Sequence, residues 1–360
     1  MSNPSNLRQE IKAFFKGDVL DDAHTLDNYS HDASIFEVRP QIVVCPKDAE
    51  DIKNLVRFIN EKKGGPIGDS GDSSENGALS LTPRSAGTCM SGGSLSESII
   101  IDVCKYMHGI SALSKDEAKV LPGTYYRDFE VETLKLGAIL PCYTASKNLC
   151  AIGGMVANNS AGEKTLRYGK MENYVKELKV IFSDGNEYTV RPLSKSDLDA
   201  KIAQNDFEGN LYKQIFELIS KNQAEITSAK PCVSKNSAGY YLWNVWDADS
   251  QMFDLTRLIV GSQGTIGIVT EVTLKLVPVK KVSKLFVIFM PKLDMLGDLV
   301  NEILEFKPES VESYDDSTMK MAIRFLPEML KSMKTAGFFK LMLSFIPEAL
   351  MMLTGGIPKL

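Results

Sequence analysis

The stretch PRSAGTCMSGG, residues 83–93, carries the reading of the fold. It follows the end of an expected strand and precedes the β-branched run SIIIDV at 98–103, so it reads as a turn between two strands. Its three glycines and small neighbours let successive backbone N–H groups converge without Cβ obstruction, which is what a diphosphate needs from a loop. It lacks the Lys-Ser/Thr ending of a P-loop, and no helix follows it as in the dinucleotide-binding G-x-G-x-x-G. Neither ATP nor NAD is therefore the ligand it implies. Taken alone, a glycine-rich turn of this kind is more often structural than functional.

Two further segments extend the pattern. PCYTASKNLCAIGGMVANNSAGEKTLRYG (141–169) is uncharged in its middle and rich in Gly, Ala, Ser and Asn. Such residues let a flat ligand lie close to the backbone and offer it amide and hydroxyl hydrogen bonds. An ordinary surface loop would carry more charge. GSQGTIGIVTEVTLKL (261–276) is a glycine-rich turn running into a strand. In this order the three segments resemble the FAD-binding domain of the p-cresol methylhydroxylase and vanillyl-alcohol oxidase (PCMH-type) superfamily, specifically its D-lactate dehydrogenase and glycolate oxidase large-subunit branch. That branch carries segments like PRGAGTGLSGG, TIGGNIANNAGG followed by YG, and GSEGTLGIVTE. The likeness runs from about Val38 to Pro278 and takes in KNSAGYYLW (235–243) as the lead-in to the third motif.

The resemblance implies FAD, bound non-covalently, and places its parts residue by residue. The diphosphate is expected against Arg84, Ser85, Ala86, Gly87, Thr88, Ser91, Gly92 and Gly93, with Pro122 and Gly123 beside the adenine half. Ser146, Ile152, Gly153, Gly154, Asn159, Ser160 and Gly162 are expected to line the channel toward the isoalloxazine, and Ile268 and Val269 to close over the adenosine. The chain departs from the family pattern at Ser85 and Cys89, where Gly is common, and at Gln263, Ala151 and Ala161, where Glu, Thr and Gly are usual. These changes remove side-chain hydrogen bonds while leaving binding through the backbone. None of the three histidines (His24, His31, His108) falls in a motif, so no covalent flavin link is expected, and Cys89 and Cys150 read as packing residues.

The rest of the sequence agrees with a folded enzyme of this kind. At 360 residues, 44% hydrophobic and 24% charged, the chain is long enough for two or three structural units. Its net charge of -5 argues against a nucleic-acid partner, which calls for a clustered basic surface. Six scattered cysteines without a C-x-x-C pair, and a polar N-terminus, suit a reducing cytoplasmic setting. Apolar residues dominate 338–360, but Lys340, Pro347, Glu348 and Gly355-Gly356 interrupt them; that run suggests a core or dimer helix, with peripheral contact on the inner face of the membrane as the alternative.

Helical spacing is expected at 7–16, 48–60 (with Asp48 as N-cap), 129–136 and 211–221. Strands are expected at 41–46, 98–103, 119–123, 177–185 and 272–279, and 64–80 reads as an exposed loop. The SDG turn at 183–185 joins antiparallel strands, so no wholly parallel sheet accounts for the chain. The expected fold class is α+β. A helical extension (1–37) precedes a two-subdomain PCMH-type FAD-binding domain (38–281), in which a small parallel sheet and a larger mixed sheet grip the cofactor. From 282 to 360 the chain is expected to begin an α/β cap (substrate) domain and to leave it incomplete, opening with a strand KLFVIFMP (284–291) and a helix at 294–306.

The activity implied is oxidation of a small 2-hydroxy acid, of the D-lactate or glycolate type, by hydride transfer to the flavin. That chemistry asks for a base on the substrate hydroxyl, often with a divalent metal. In this branch both come from a histidine-rich stretch of the cap. No histidine follows His108 here, so no catalytic residue or metal ligand is assigned, and Glu312, Asp315 and Asp316 read as a solvated acidic turn. Three readings stay open: a shortened dehydrogenase, an enzyme completed by a cap-domain or iron–sulfur partner chain, and a non-catalytic flavin-binding or electron-transfer subunit. The enolpyruvyl-glucosamine reductase of cell-wall synthesis, which shares the cofactor fold, fits the 235–276 segment less well.

Overall fold

The computed structural model describes residues 4–63, 79–233, 236 and 239–332. The expected loop at 64–80 falls almost wholly outside these residues, and the apolar run at 338–360 falls entirely outside them. The chain divides into two units, Met1–Ser310 and Val311–Leu360.

Unit one begins with α1 (Pro4–Lys12), β1 (Asp18–Leu20), α2 (Ala23–Tyr29), β2 (Ile42–Cys45), α3 (Ala49–Lys63), β3 (Leu81–Arg84) and β4 (Ile99–Asp102). These strands form a sheet in the order β1-β2-β4-β3. The β2-β4 and β4-β3 pairs are parallel, whereas β1 pairs antiparallel with β2, so the first 37 residues contribute an edge strand as well as helices and the small sheet is mixed. Parallel strands covered on both faces read as unbroken apolar runs. Ile99 and Ile101 accordingly pack into the core cluster shared with α1 and α3, while Ile100 packs with Val43 and Leu26 on the opposite face. Each such buried side chain contributes roughly 1.5–3 kcal/mol.

The start of α3 is fixed by carboxylates. Asp48 accepts the Asp51 N–H at 3.1 Å, the cap expected from sequence. Asp51, fully buried, accepts N–H groups from Lys16 (2.9 Å), Gly17 (3.1 Å) and Lys47 (2.9 Å), tying α3 to the turn before β1 and to the end of β2.

The second part of the unit holds β5 (Ile110–Leu113), β6 (Glu117–Val120), α4 (Tyr126–Lys135), β7 (Ala138–Ile139), α5 (Ile152–Ala157), α6 (Thr165–Tyr168), β8 (Val175–Ile181) and β9 (Glu187–Val190). It continues with β10 (Leu193–Ser194), α7 (Lys195–Ile202), α8 (Phe207–Lys221), α9 (Gln223–Ala229), β11 (Trp246–Asp247), β12 (Met252–Phe253), α10 (Thr256–Ile259), β13 (Ile268–Lys275), β14 (Val277–Pro278) and α11 (Leu296–Glu305). Its main sheet runs β5-β6-β13-β8-β9 with every neighbouring pair antiparallel, so the expected mixed character belongs to the small sheet and not to this one. The SDG turn joins β8 and β9 as an antiparallel hairpin. Helix α3 reaches that hairpin: Arg57 donates to Asn186 Oδ1 at 2.7 Å and Asn60 donates to the Ser183 carbonyl at 2.6 Å. The two sheets are thus bridged across one core.

One expected element is absent. Residues 284–291 (KLFVIFMP) form no strand, because among the described residues no neighbouring strand offers a ladder to their N–H and C=O groups. Leu285 and Phe286 are 89% and 87% exposed. In unit two, α12 (Asp316–Ser332) starts at a capped turn where Asp315 accepts the Thr318 N–H at 2.6 Å and Asp316 pairs with Lys320 at 2.7 Å. The acidic turn therefore caps and pairs along its own helix.

Candidate functional site

The three glycine-rich segments meet at one cleft. Its wall is made by Pro83, Arg84 and Ser85 from the first, Gly153, Gly154 and Ala157 from the second, and Ser262, Gln263, Gly264, Gly267 and Val269 from the third, completed by Val103, Pro122 and Ile259.

The first segment leaves β3 at Arg84 and is braced from below. Arg84 donates to the carbonyls of Tyr29 (3.1 Å) and His31 (2.7 Å) and lies over the Tyr29 ring, whose hydroxyl donates to Asp102. Burial, with Asp102 adding to it, pushes the Tyr29 hydroxyl far above its ordinary pKa, so it stays a donor. Gly87 has φ +65°, and a Cβ there would stand 2.7 Å from an Arg84 guanidinium nitrogen. Among the described residues, none of the backbone N–H groups of residues 85–93 donates to an acceptor of the chain. A loop of small residues with free amides is an anion nest.

The second segment is zipped against residues 122–126: Gly153 N–H donates to the Pro122 carbonyl at 2.7 Å, Ile152 N–H to that of Thr124 at 2.9 Å, and Tyr126 N–H to that of Cys150 at 3.0 Å. A Cβ on Gly153 would stand 2.8 Å from the Pro122 ring. A Cβ on Gly154 would face Ser85 at 3.5 Å, across the gap between the two segments. The third segment closes the cleft through backbone bonds onto α5, Gly261 N–H to the Val156 carbonyl (3.0 Å) and Gln263 N–H to that of Ala157 (2.9 Å). The Gln263 side chain donates to Asn158 Oδ1 at 3.1 Å.

Behind this wall lies a buried charged pair. Lys170 donates to the Tyr241 hydroxyl (2.7 Å) and the Asn236 carbonyl (2.8 Å) and stands 3.5 Å from Glu172; their side chains are 10% and 11% exposed. Glu172 in turn accepts from Asn159 Nδ2 at 3.1 Å and donates its own N–H to Asn159 Oδ1 at 3.0 Å.

Of the residues singled out from sequence, Arg84, Ser85, Pro122, Gly153, Gly154 and Val269 lie on the cleft wall. Ala86, Gly87, Thr88, Ser91, Gly92 and Gly93 continue the first loop beyond it, and Met90 in the same loop is exposed. Gly123, Ile152 and Ile268 are packed inward, Asn159 and Ser160 are buried behind the wall, and Gly162 sits against the Tyr143 carbonyl. Ser146 pairs with Thr144 at 2.9 Å, in the turn before Cys150. Sequence reasoning assigned no cofactor role to the other wall residues, Pro83, Val103, Ala157, Ile259, Ser262, Gln263, Gly264 and Gly267. Val103 and Ile259 look like any core aliphatic, whereas Ser262 stood inside a motif already in view.

Arg84 is the one charged residue of the wall among the described residues, and its guanidinium is turned toward the 29–31 carbonyls. A neutral, mostly apolar slot beside a run of free amides suits a flat uncharged ring system joined to a diphosphate, so the residues present fit a dinucleotide flavin. Burial pushes the Cys104 thiol up to about 11 and raises Cys150 as well, which keeps both in the thiol form.

Residues 40–191 match a family described as FAD binding domain. That part of the chain is similar to an FAD binding domain. Among curated proteins, a D-2-hydroxyglutarate dehydrogenase of Pseudomonas putida is 26% identical over 314 residues, which are 86% of this chain and 30% of that protein. Glycolate oxidase subunit GlcD of Bacillus subtilis is 25% identical over 297 residues, 81% of this chain and 49% of that protein. The chain thus spans about a third to a half of the relatives it matches. A solved alkyldihydroxyacetonephosphate synthase superposes with a TM-score of 0.51 at 18% identity, covering 78% of this chain and 42% of that one, which establishes a shared fold. The α+β class and the resemblance drawn from the three motifs both hold. No helix of the described residues is long and apolar enough to cross a membrane.

Proposed function

We propose that this chain is the FAD-binding part of a dehydrogenase that oxidises a small 2-hydroxy acid, with the groups that act on the substrate supplied by polypeptide beyond the FAD-binding region. The observation that carries this is the convergence of three segments, far apart in sequence, on one neutral cleft flanked by free amides. In this reading the 84–93 loop holds the diphosphate, Pro122 and Gly123 flank the adenine half, and the segment around Ser146, Gly153 and Gly154 borders the ring system, with Asn159 and Ser160 supporting it from behind. Bound FAD supplies a two-electron acceptor; the chain's own residues bind it, orient it and exclude water.

Non-covalent attachment is part of the proposal. His24 contacts Asn28 at 3.2 Å, His31 faces Glu37 at 3.7 Å, and His108 lines a separate groove beside α4. We place the FAD-binding domain at 38–281 and the start of the substrate domain at 282–360. The catalytic base would come from the remainder of that domain or from a partner chain, one with iron–sulfur centres being the natural electron acceptor. The relative named as a subunit favours a partner. A cytoplasmic location, with the chain free to settle on the inner face of a membrane, fits the same reading.

The test is an anaerobic visible spectrum of the FAD-loaded chain with D-lactate, glycolate or D-2-hydroxyglutarate. The expected spectrum stays oxidised with the chain alone and bleaches with one acid once the full-length protein or partner is present. Bleaching by the chain alone would overturn the division of labour, and no bleaching by any 2-hydroxy acid in the complete system would overturn the substrate class.

A further inference from the structure

The buried pair behind the cleft has no counterpart among the groups that the cofactor reading uses, and a Lys–Glu pair held this far from water persists only where its hydrogen bonds are fully matched. We propose that Lys170 and Glu172 are positioning residues for FAD: they lock Asn159, and through it the turn that presents Asn158 to Gln263, so that the second and third glycine-rich segments form one wall. This rests on the cleft being the FAD site. Asn159 adopts a left-handed conformation, φ +46°, which few side chains tolerate and which Asn and Asp tolerate best. Both ends of its amide engage Glu172, oxygen to the N–H at 3.0 Å and nitrogen to Oε2 at 3.1 Å. Glu172's other oxygen faces Lys170 at 3.5 Å, and Lys170 is anchored by the Tyr241 hydroxyl at 2.7 Å. One residue before this fixed point, Asn158 Oδ1 receives the Gln263 side chain at 3.1 Å. The relay therefore joins the segment before the third motif to the edge of the cleft.

The donor and acceptor order gives a test by exchange. In Glu172→Gln the new amide turns an N–H either toward Lys170 or toward the Asn159 amide, so two donors oppose each other. In Asn159→Asp two carboxylate oxygens oppose each other. The double variant, which carries both changes, restores every bond with the polarity of one reversed. The amide at position 172 keeps its oxygen toward Lys170 and donates to the carboxylate at position 159, and the net charge is unchanged. FAD affinity would be measured by flavin fluorescence quenching, the seating of the bound ring by visible circular dichroism, and folding by melting of the apoprotein.

Each single variant is expected to bind FAD about tenfold or more weakly with an altered visible dichroism, the size expected when a buried group faces the wrong partner. The double variant is expected to recover both. Should the singles fail to fold, the double variant is still expected to fold and bind like the wild type. Singles that bind FAD unchanged, or a double variant no better than they are, would overturn the relay while leaving the cleft intact. A wild-type chain that binds no FAD would overturn the cleft reading and this inference with it.

Discussion

Two apolar runs in this chain look alike in sequence and behave in opposite ways. IIID at 99–102 has its three isoleucines fully buried between parallel neighbours, whereas LFVIF at 285–289 has no ladder partner among the described residues and lies exposed. An apolar run requires burial but does not say where its neighbours are. In β4 the neighbours β2 and β3 belong to the same chain. For 285–289 no strand of the described residues comes alongside, and the run stays exposed.

That contrast can be broken by substitution. Ile100→Ala should cost about 2–5 kcal/mol in urea unfolding, because it opens a cavity on the fully enclosed face of the small sheet. Asp51→Asn should cost about 1–3 kcal/mol, since an amide cannot accept all three N–H groups that the carboxylate now satisfies, and unfolding of the FAD-free protein would show it. Gly87→Ala should cost about 1–2 kcal/mol from its positive φ and should also weaken FAD binding by displacing Arg84.

The smallest effects belong to the edge of unit one. Glu309 is held below the ordinary glutamate pKa by its ion pair with Lys280 (2.8 Å), with the Tyr168 hydroxyl and Lys164 adding to it and partial burial opposing. A depressed carboxylate contributes stability above its unfolded pKa and loses it as pH falls through its folded pKa. Glu309→Gln should therefore lower stability at pH 7 by less than about 1 kcal/mol, read as a slightly lower melting temperature, with the difference from wild type vanishing in acid. At the exposed run, Phe286→Ser should leave stability within about 0.5 kcal/mol and reduce self-association in sedimentation. A large stability loss there would mean the run is packed after all.

Much of the site could be read from residues alone, because glycine and small polar residues mark places where backbone must approach backbone or ligand. Gly153 against Pro122 and the free amides after Arg84 follow directly from that logic. Val103 and Ile259 were invisible because an aliphatic that walls a cleft obeys the same pattern as one in a core. The antiparallel order of the main sheet was only partly legible: the hairpin at 183–185 declared one pairing, but the insertion of β13 between β6 and β8 joins residues some ninety positions apart, for example Val269 and Val180. The KLFVIFMP expectation failed for the related reason that strand propensity is realised only beside a partner. Lys170 and Glu172 gave no signal, since charged residues are ordinarily solvated and only the structure shows these two enclosed.

The most direct test of the account is FAD binding by the purified chain, measured by equilibrium dialysis for the wild type and for Gly153→Val, with folding of both checked by far-ultraviolet circular dichroism. The account expects one FAD per wild-type chain and loss of binding in a folded Gly153→Val chain, whose side chain would force residues 122 and 153 apart. A wild-type chain that binds no FAD, or a Gly153→Val chain that binds it as well as the wild type, would contradict the claim that these three segments form the cofactor site.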